Sequence, residues 1–503
     1  MQPERDFVEF EADDKENPRR WHPLLKGFII VWICFNALTV TCYASTYLDA
    51  VPYIQELFHI GSTVAKLGFT FYAGACGLGP LFLAPLCELY GRKWVYVGSA
   101  LGWTAFQVGA ACAENTATIL ICRFFAALLG TASFSNAAGS IHDLSVPGLF
   151  QSSATMLFCM ALFMGPVIGP IVSGYIVENT TWRWIFYAAI IAGGVETVVF
   201  AVLPETHHGI ILMRKAARLR KQHPARDVRS AFELERPSVA QALRITATRA
   251  GSMLVSDPII LAISLWQTTV FGIIYLFFDA FPIVFGAHGF GVGATGLTFL
   301  GIGVGMLLYG VFAMTAGERI EESESRKSGT RTPERRLKLG LLGAIIVPIS
   351  LLWFGFTTYT SVPYMVPIVA SGFYGFGFLA VSLSTFYYTI DAYTTYAASA
   401  FAAQAMIRSV VTSVFVLFGT QMFSGLGPRW ATFILAMIGV VEIALPIVFM
   451  RKGEALRKAS GFASVEVEHE HVVEDKASSD EEKQTETHSL DDDKRAWVQE
   501  QAP

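Results

Sequence analysis

Charged residues are scarce in this 503-residue chain: Asp, Glu, Lys and Arg make up 16% of it, and hydrophobic residues make up 53%. Soluble globular domains carry about a quarter charged residues. The composition therefore excludes an ordinary soluble domain, a fully disordered chain and a nucleic-acid binder. The net charge of −4 is unevenly spread, because residues 462–503 alone hold 13 acidic and 4 basic residues. The pattern indicates a mildly basic membrane protein with an acidic tail.

Cysteine is sparse, and sequence motifs of enzyme or metal chemistry are missing. All seven cysteines lie in or beside apolar stretches of the first 160 residues, without a CxxC pair or a His-rich segment. We interpret them as small buried hydrophobic residues. The chain also lacks HExxH, a P-loop and a nucleophile elbow, so we expect no enzyme, no ATP-driven pump, no cofactor and no metal. No cleavable signal peptide is visible in the polar residues 1–26.

Long apolar runs are abundant. Crossing the bilayer core takes about 20 helical residues, and twelve segments reach that length, six on each side of a polar stretch. They lie at 27–49, 66–87, 95–113, 117–142, 152–177, 184–203, 258–283, 293–316, 339–358, 364–390, 397–424 and 430–450. The sequence therefore predicts an all-α membrane protein with twelve transmembrane helices in two six-helix halves.

Basic residues fix the orientation of these segments. With the N-terminus inside, the cytoplasmic segments hold 32 of the 37 Lys and Arg residues, as the positive-inside rule requires. Both termini are then cytoplasmic. The predicted order is a cytoplasmic tail at 1–26, a six-helix bundle at 27–203, a cytoplasmic loop at 204–257, a second bundle at 258–450 and an acidic tail at 451–503. The acidic tail is too polar to bury a core, so we expect it to be disordered.

The sixth and twelfth spans resemble each other. Gly193-Gly194-Val195-Glu196 and Gly439-Val440-Val441-Glu442 lie at similar depths, and each leads to a proline and then to cytoplasmic charge. Such correspondence indicates a transporter built by duplication. We expect the two glutamates to pack or hydrogen-bond rather than to carry protons.

A motif lies between the second and third spans, where the chain reads Ala84-Pro85-Leu86-Cys87-Glu88-Leu89-Tyr90-Gly91-Arg92-Lys93. This segment resembles the signature loop of the major facilitator superfamily, in the form used by its fungal twelve-span drug:proton antiporter branch. Ala84 stands where the family has glycine, and Leu89 where it has arginine. Further matches follow in the order of that branch: Glu16-Asn17-Pro18, Arg123, Trp182-Arg183-Trp184, Pro204-Glu205-Thr206, Arg214-Lys215-Ala216, Phe281-Pro282-Ile283-Val284-Phe285, Asp391-Ala392-Tyr393, Ala397-Ala398-Ser399-Ala400 and Arg408-Ser409.

The resemblance implies the major facilitator fold and two functional motifs. In the first, Glu88, Gly91, Arg92 and Lys93 form a cytoplasmic gate whose charge pairs hold one bundle against the other; the alternative is an ordinary interface charge. The second is an antiporter motif in the fifth span, with Met156 and Ser173 in place of two expected glycines. Its residues are Gly165, Pro166, Gly169, Pro170 and Gly174. The alternative for this motif is a kinked packing helix.

Charged residues within the spans are functional candidates by default. Arg123 in the fourth span matches an arginine that the family links to proton transfer, and Arg408 lies mid-way along the eleventh. For both, the alternative is a structural arginine that satisfies backbone carbonyls. Asp143 and Asp391, at inner span ends, match branch positions and are expected in hinge or interface pairs.

The nature of the substrate follows from the polar and aromatic residues of the spans expected to line a cavity. Asn36, Gln267 and Gln404 stand there among many phenylalanines, which suits amphipathic small molecules. The sequence thus predicts a monomeric, proton-coupled exporter of drugs, toxins or a fungal metabolite in the cell membrane. An organic-acid carrier or importer, with Arg123 and Arg408 as anion contacts, and a non-transporting sensor are the alternatives. Asn179 fits a glycosylation sequon on the outer side, although the loop there has little slack.

Overall fold

The computed structural model describes residues 6–11, 14–146, 148–222, 228–317 and 333–463. Its helices are numbered α1 to α18 in chain order. They span Pro23–Ser45, Tyr47–Phe58, Ser62–Tyr90, Arg92–Ala111, Thr116–Gly130, Ala132–Leu144, Leu149–Asn179, Arg183–Val202, His208–Gln222, Ala231–Glu235, Val239–Ser256, Pro258–Ala287, Val292–Thr298, Leu300–Phe312, Leu337–Phe356, Met365–Ala392, Ala397–Glu442 and Ala444–Ala459.

Ten helices or merged helix runs in the described residues are long and apolar enough to cross a membrane. The run Ala397–Ala459 is one of the ten, yet it holds two predicted spans, because the backbone turns at Gly427, with φ 74° and ψ 156°, and at the following Pro428. A further predicted span corresponds to α4, which is 20 residues long but less apolar. Counting these two gives the twelve predicted crossings, and the predicted all-α membrane fold is confirmed.

The connections on the predicted outer side are short. Between α2 and α3 the chain uses residues 59–61, and the longest outer connection, 357–364, lies between α15 and α16. His59 takes a left-handed conformation with φ 53°, which closes the first of these turns. Short connections keep consecutive helices adjacent and antiparallel.

The cytoplasmic side has more structure than the sequence indicated. The stretch 204–257, predicted as a loop, contains α9, α10 and α11. A two-residue strand β1 (Asp6–Phe7) pairs in parallel with β2 (Val228–Arg229), which is a small exception to the all-α prediction. The predicted disordered tail starts too early, since α18 continues to Ala459. The residues after 463, with the rest of that tail, lie outside the described residues.

Candidate functional site

The two halves contact each other at their outer ends through a buried ion pair. The Nζ atom of Lys66, in α3, lies 2.6 Å from Oδ1 of Asp279, in α12, and their side chains are 9% and 12% exposed. The same ammonium donates to Oγ1 of Thr420 at 2.6 Å and to the carbonyl of Val416 at 3.2 Å, both in α17. All three ammonium hydrogens therefore have acceptors. One lysine of the first half is thus held by two helices of the second.

Close glycine contacts surround this ion pair. A Cβ on Gly419 of α17 would collide with Oδ2 of Asp279, so glycine there lets the carboxylate approach the helix. Deeper along the same interface, a Cβ on Gly77 of α3 would lie 2.9 Å from the carbonyl of Ala405. Helices α3 and α17 therefore contact each other where small residues permit close approach.

The antiporter motif of α7 contacts both halves. A Cβ on Gly169 would lie 2.8 Å from the carbonyl of Cys42 in α1, and Gly165 is equally close to α1 at Thr41. Toward the outer end, a Cβ on Gly174 would lie 2.9 Å from the carbonyl of Val292, at the start of α13. The sequence thus places small residues where α7 meets a neighbour of its own half and a helix of the other half.

The prolines of this motif lie inside α7, at positions 166 and 170. The helix stays continuous from Leu149 to Asn179, and the carbonyl of Pro170 lies against Gly296 of α13. Proline cannot donate a hydrogen bond to the preceding turn, so the carbonyls of Leu162 and Pro166 lack their helical donors. Helix α7 therefore shows the close helix packing that the alternative interpretation of this motif expects.

Sequence reasoning missed two polar contacts at this end of the molecule. Ser173, which replaces a motif glycine, donates to Oδ2 of Asp49 at 2.5 Å and to the carbonyl of Gly169 at 2.8 Å. The other missed contact is the Lys66–Asp279 pair. A single basic residue in the apolar outer end of the second span was the available signal for that pair.

The cytoplasmic motif forms a dense polar cluster inside the first half. Arg92 Nη1 lies 3.0 Å from Oε1 of Glu88, and its Nε lies 3.2 Å from Oδ2 of Asp143. The Arg92 guanidinium also donates to Oδ1 of Asn136 at 3.1 Å. Glu88 Oε2 lies 3.3 Å from Nε2 of His207. These partners belong to the first half or to the segment directly after it, so the expected pairing between the bundles is not what this conformation shows.

The glycine of the motif is required by its backbone and by its neighbour. Gly91 has φ 94°, a value that side chains disfavour, and a Cβ there would collide with the carboxylate of Glu205. Oε1 of Glu205 accepts from the backbone N–H of Arg92 at 2.8 Å and of His207 at 3.1 Å. This carboxylate thus caps the start of α4. Lys93, the last gating candidate, lies 5.6 Å from the ring of Trp94.

The second half carries its own cytoplasmic ion pairs. Arg336 Nε lies 3.2 Å from Oδ2 of Asp391, and Arg457 Nε lies 2.9 Å from Oε1 of Glu334. Both pairs join residues of that half. Asp143 and Asp391, each matched to a position of the family branch by the sequence, therefore each face an arginine at the inner end of their own bundle.

Arg123 is enclosed by the first half. Its side chain is among the largest fully buried ones, at 1% exposure. Nε donates to the carbonyl of Gly68 at 2.8 Å, and Nη2 donates to the carbonyls of Tyr43 and Ala44 at 3.3 and 3.2 Å. The guanidinium lies 4.2 Å from the ring centroid of Tyr47. This geometry is that of the structural alternative, an arginine satisfied by backbone carbonyls.

Arg408 has a different environment, about three helical turns after the start of α17 at Ala397. Nη1 donates to Oε1 of Gln267 at 3.3 Å, and the guanidinium lies 4.5 Å from the ring centroid of Phe271. Its side chain is half-buried. Gln267 in turn donates to Oγ1 of Thr385 at 2.5 Å, which fixes the amide that orients the arginine.

The two mid-span glutamates differ in environment. Glu196 is fully buried and accepts from Nδ2 of Asn36 at 2.7 Å, so a hydrogen-bonding environment surrounds it, as expected. Asn36, Gln267 and Gln404, the amides expected to line a cavity, are 2%, 3% and 2% exposed in this conformation. Glu442 ends α17 and is half-buried.

Asn179 is the last residue of α7. Its side chain is exposed, and Nδ2 donates to the carbonyl of Tyr175 at 2.9 Å. Thr180, inside the sequon, donates to the carbonyl of Ile176 at 2.6 Å. The sequon therefore lies directly against the helix end, with both polar side chains turned back onto it.

Comparison with known proteins places these features in a family. A model of the Major Facilitator Superfamily matches residues 31–416. The Candida glabrata protein named multidrug transporter TPO1_1 is 35% identical over 91% of this chain and 82% of its own length. The Aspergillus fumigatus protein named major facilitator superfamily multidrug transporter mdrA is 34% identical over 91% of this chain and 76% of its own length.

Solved structures share the fold at low sequence identity. The inward open conformation of the xylose transporter XylE from E. coli matches with a TM-score of 0.60 and 16% identity, covering 86% of this chain and 99% of its own. A POT family transporter in complex with 5-aminolevulinic acid matches with a TM-score of 0.59 and 12% identity, covering 87% of this chain and 99% of its own. At such identities the likeness concerns the fold alone.

Proposed function

Since this chain belongs to the major facilitator superfamily, a family of membrane transporters rather than enzymes, we propose that it exports amphipathic small molecules in exchange for protons. The motif resemblance to the fungal multidrug branch is confirmed by relatives named multidrug transporters. Their names concern those proteins; they support export of drug-like molecules by this one. The substrate enters from the cytoplasm or inner leaflet and leaves on the outer side.

The observation that carries this proposal is the asymmetric placement of polar contacts between the halves. At the outer ends, Lys66 and Asp279 join the two halves, and Glu178 of α7 accepts from the backbone N–H of Gly293 at 3.0 Å. At the inner ends, the ion pairs of Arg92 and of Arg336 each lie within one half. The conformation is thus closed on the outside. Alternating access requires that the outer contacts break when the inner side closes.

The cytoplasmic cluster is proposed as the inner gate. Glu88 has a side chain 59% exposed, so it is free to exchange partners when the second half approaches. Buried Arg92 is held by Asp143 and Asn136, and this fixes the end of α3 and the start of α4. In the outward-open state, the exposed Glu88 carboxylate then pairs with a group of the second half, while Arg92 maintains the conformation of the loop between α3 and α4. Lys93, beside Glu88, adds charge at the same rim.

Proton coupling is supported by the antiporter motif and by the absence of a nucleotide-binding motif in the sequence. It is tested with everted membrane vesicles that are energised in two ways. Uptake of a fluorescent amphipathic drug should follow an imposed pH gradient without ATP. It should stop when an ionophore collapses the gradient, although ATP is present. Undiminished transport under the second condition refutes proton coupling.

The membrane orientation and assembly are part of the proposal. We propose that the protein lies in the cell membrane as a monomer, with both termini in the cytoplasm, because basic residues concentrate on one side of the spans. An epitope tag at either terminus should be stained in intact cells only after permeabilisation. Staining of unpermeabilised cells contradicts the orientation.

A further inference from the structure

Four charged side chains of the spans lie near the interface or core of the bundles, and their compensation differs. Lys66 and Asp279 neutralise each other at 2.6 Å. Arg123 is fully buried and donates to three backbone carbonyls. Arg408 has one hydrogen bond, to an amide, and one aromatic contact. Among the described residues no carboxylate forms an ion pair with it.

The guanidinium of Arg408 therefore has spare hydrogen-bonding capacity. Arginine has five N–H donors in a planar fork that matches the two oxygens of a carboxylate. The Gln267 amide uses one of them, and the ring of Phe271 covers one face of the fork. Because the side chain is half-buried rather than enclosed, the other donors are open to a ligand. A charge at this depth is costly without a counter-charge or water.

The location of Arg408 is between the two halves. Tyr275 of its own half, and Cys76 and Cys159 of the first half, lie within electrostatic range of its charge. The neighbouring Ser409 lies against Gly77 of α3. A ligand held by the guanidinium would therefore contact both bundles, which is what a substrate must do to be moved by their rocking.

An aromatic cluster adjoins the same point. The Arg408 guanidinium lies over the ring of Phe271. The centroid of this ring is 4.9 Å from that of Phe378 and 5.2 Å from that of Phe163, which belongs to the first half. Phe163 and Phe378 are themselves 5.5 Å apart. A cationic fork beside apolar rings recognises a molecule with an anionic head and an apolar or aromatic body.

We propose that Arg408 is the substrate-binding cation of this protein, and that its preferred substrates are amphipathic organic anions such as aryl carboxylates. The inference rests on the proposed export function and narrows its substrate class. Gln267 acts as a positioning residue, because it holds the fork in place through its own contact with Thr385.

The test uses the purified full-length protein and three radiolabelled probes that share one ring system: naphthalene-2-carboxylate, naphthalene-2-carboxamide and 2-naphthylmethylammonium. Equilibrium binding is measured for the wild type, Arg408→Gln, Arg408→Lys and Arg451→Gln. The last is a matched control that removes the same charge at an exposed cytoplasmic position. Charge-assisted hydrogen bonds are strong when solvent is excluded, so the wild type should bind the carboxylate about 10- to 100-fold more tightly than the carboxamide.

In Arg408→Gln this preference should vanish while carboxamide binding stays near the wild-type value, which also shows that the variant is folded. Arg408→Lys keeps the charge but loses the fork, so it should retain part of the preference. Arg451→Gln should bind all three probes like the wild type.

Equal binding of the three probes by the wild type, or an unchanged carboxylate preference in Arg408→Gln, overturns the assignment. So does a wild type that binds no carboxylate at all. Export itself is measured separately, with an uncharged fluorescent drug in intact cells. Normal export together with equal probe binding refutes the anion preference alone, whereas absent export of every compound refutes the proposed function.

Discussion

The ion pair between Lys66 and Asp279 should set the balance between the outward-closed and outward-open conformations. Both side chains are nearly buried in the closed form, and both become hydrated when the outer ends separate. Removing one partner of a buried pair leaves an uncompensated charge, at a cost of about 3–5 kcal/mol. The open form bears little of that cost. At 1.4 kcal/mol per tenfold change, about 3 kcal/mol moves the equilibrium roughly 100-fold toward outward-open.

The shift of this equilibrium toward the outward-open conformation is measured as the rate at which an introduced cysteine is labelled from outside the cell. Thr70 lies one helical turn deeper than Lys66, and its Oγ1 donates to the carbonyl of Ser413 across the interface at 3.1 Å. A Thr70→Cys variant, with the exposed Cys112 replaced by serine, should react slowly with a membrane-impermeant maleimide. Adding Lys66→Met or Asp279→Asn should raise the labelling rate by about one to two orders of magnitude.

Two controls separate gating from a general loss of structure. Arg183→Gln removes a positive charge near the same surface, but Arg183 donates to backbone carbonyls of Ala111 and Ala113 within its own half. The labelling rate should stay unchanged in this variant. The double variant Lys66→Met with Asp279→Leu removes both charges and should shift the balance less than either single change. Unchanged labelling in both single variants refutes the gate.

The remaining predictions concern other parts of the molecule. Glu88→Gln and Arg92→Ala should lower export at equal surface abundance, measured by drug efflux per molecule, and normal flux in both would remove the inner-gate role. Arg123→Gln should lower the thermal unfolding temperature and the amount of folded protein, because three backbone carbonyls lose their donor; a stable variant that is selectively impaired in transport contradicts the structural role. Gly174→Val should trap the outer ends apart, because a Cβ there meets the backbone of α13, and unchanged accessibility of the outer cleft argues against this. Burial lowers the pKa of His208, whose Nε2 donates to a backbone carbonyl at 2.9 Å, so protonation of this histidine is less favourable in the folded state. Protection of α9 from hydrogen exchange should therefore be complete at neutral pH and fall as the pH drops below about 6.5. Protection that is independent of pH contradicts this prediction.

The spans were predictable because each depends on local composition, and the predicted orientation rests on the same kind of signal. Twenty apolar residues must form a helix in a bilayer, and most basic residues lie on the predicted cytoplasmic side, although Lys66, Arg183 and Arg429 lie near outer span ends. Helices α9 and α11 were not predicted, because they lie in a polar segment whose length and hydropathy do not indicate a membrane span. The run through Gly427 and Pro428 shows the reverse case, since the sequence separates two spans that the structure joins through a single non-helical residue, Gly427.

The pairings within the site were less predictable. The sequence marked Arg123 and Arg408 alike, as charges inside spans, because it shows depth but not which face meets a neighbour. The structure separates them: one is enclosed by carbonyls and the other is open between the halves. Lys66 and Asp279 lie 213 positions apart, and no periodicity connects residues at that distance. Motif knowledge located Glu88, Arg92 and Glu205, but the hydrogen bond from the backbone N–H of Arg92 to Glu205 became visible only in the structure.

The brevity of the outer connections has a consequence for any attempt to block this protein from outside the cell. An antibody or a nanobody binds an exposed loop. In this protein the chain turns back into the membrane within a few residues at nearly every outer connection. Residues 357–364 form the longest of these outer connections, so they offer the largest external epitope. An inhibitor acting from outside must instead be small enough to enter the cleft during the interval in which the outer ends are apart.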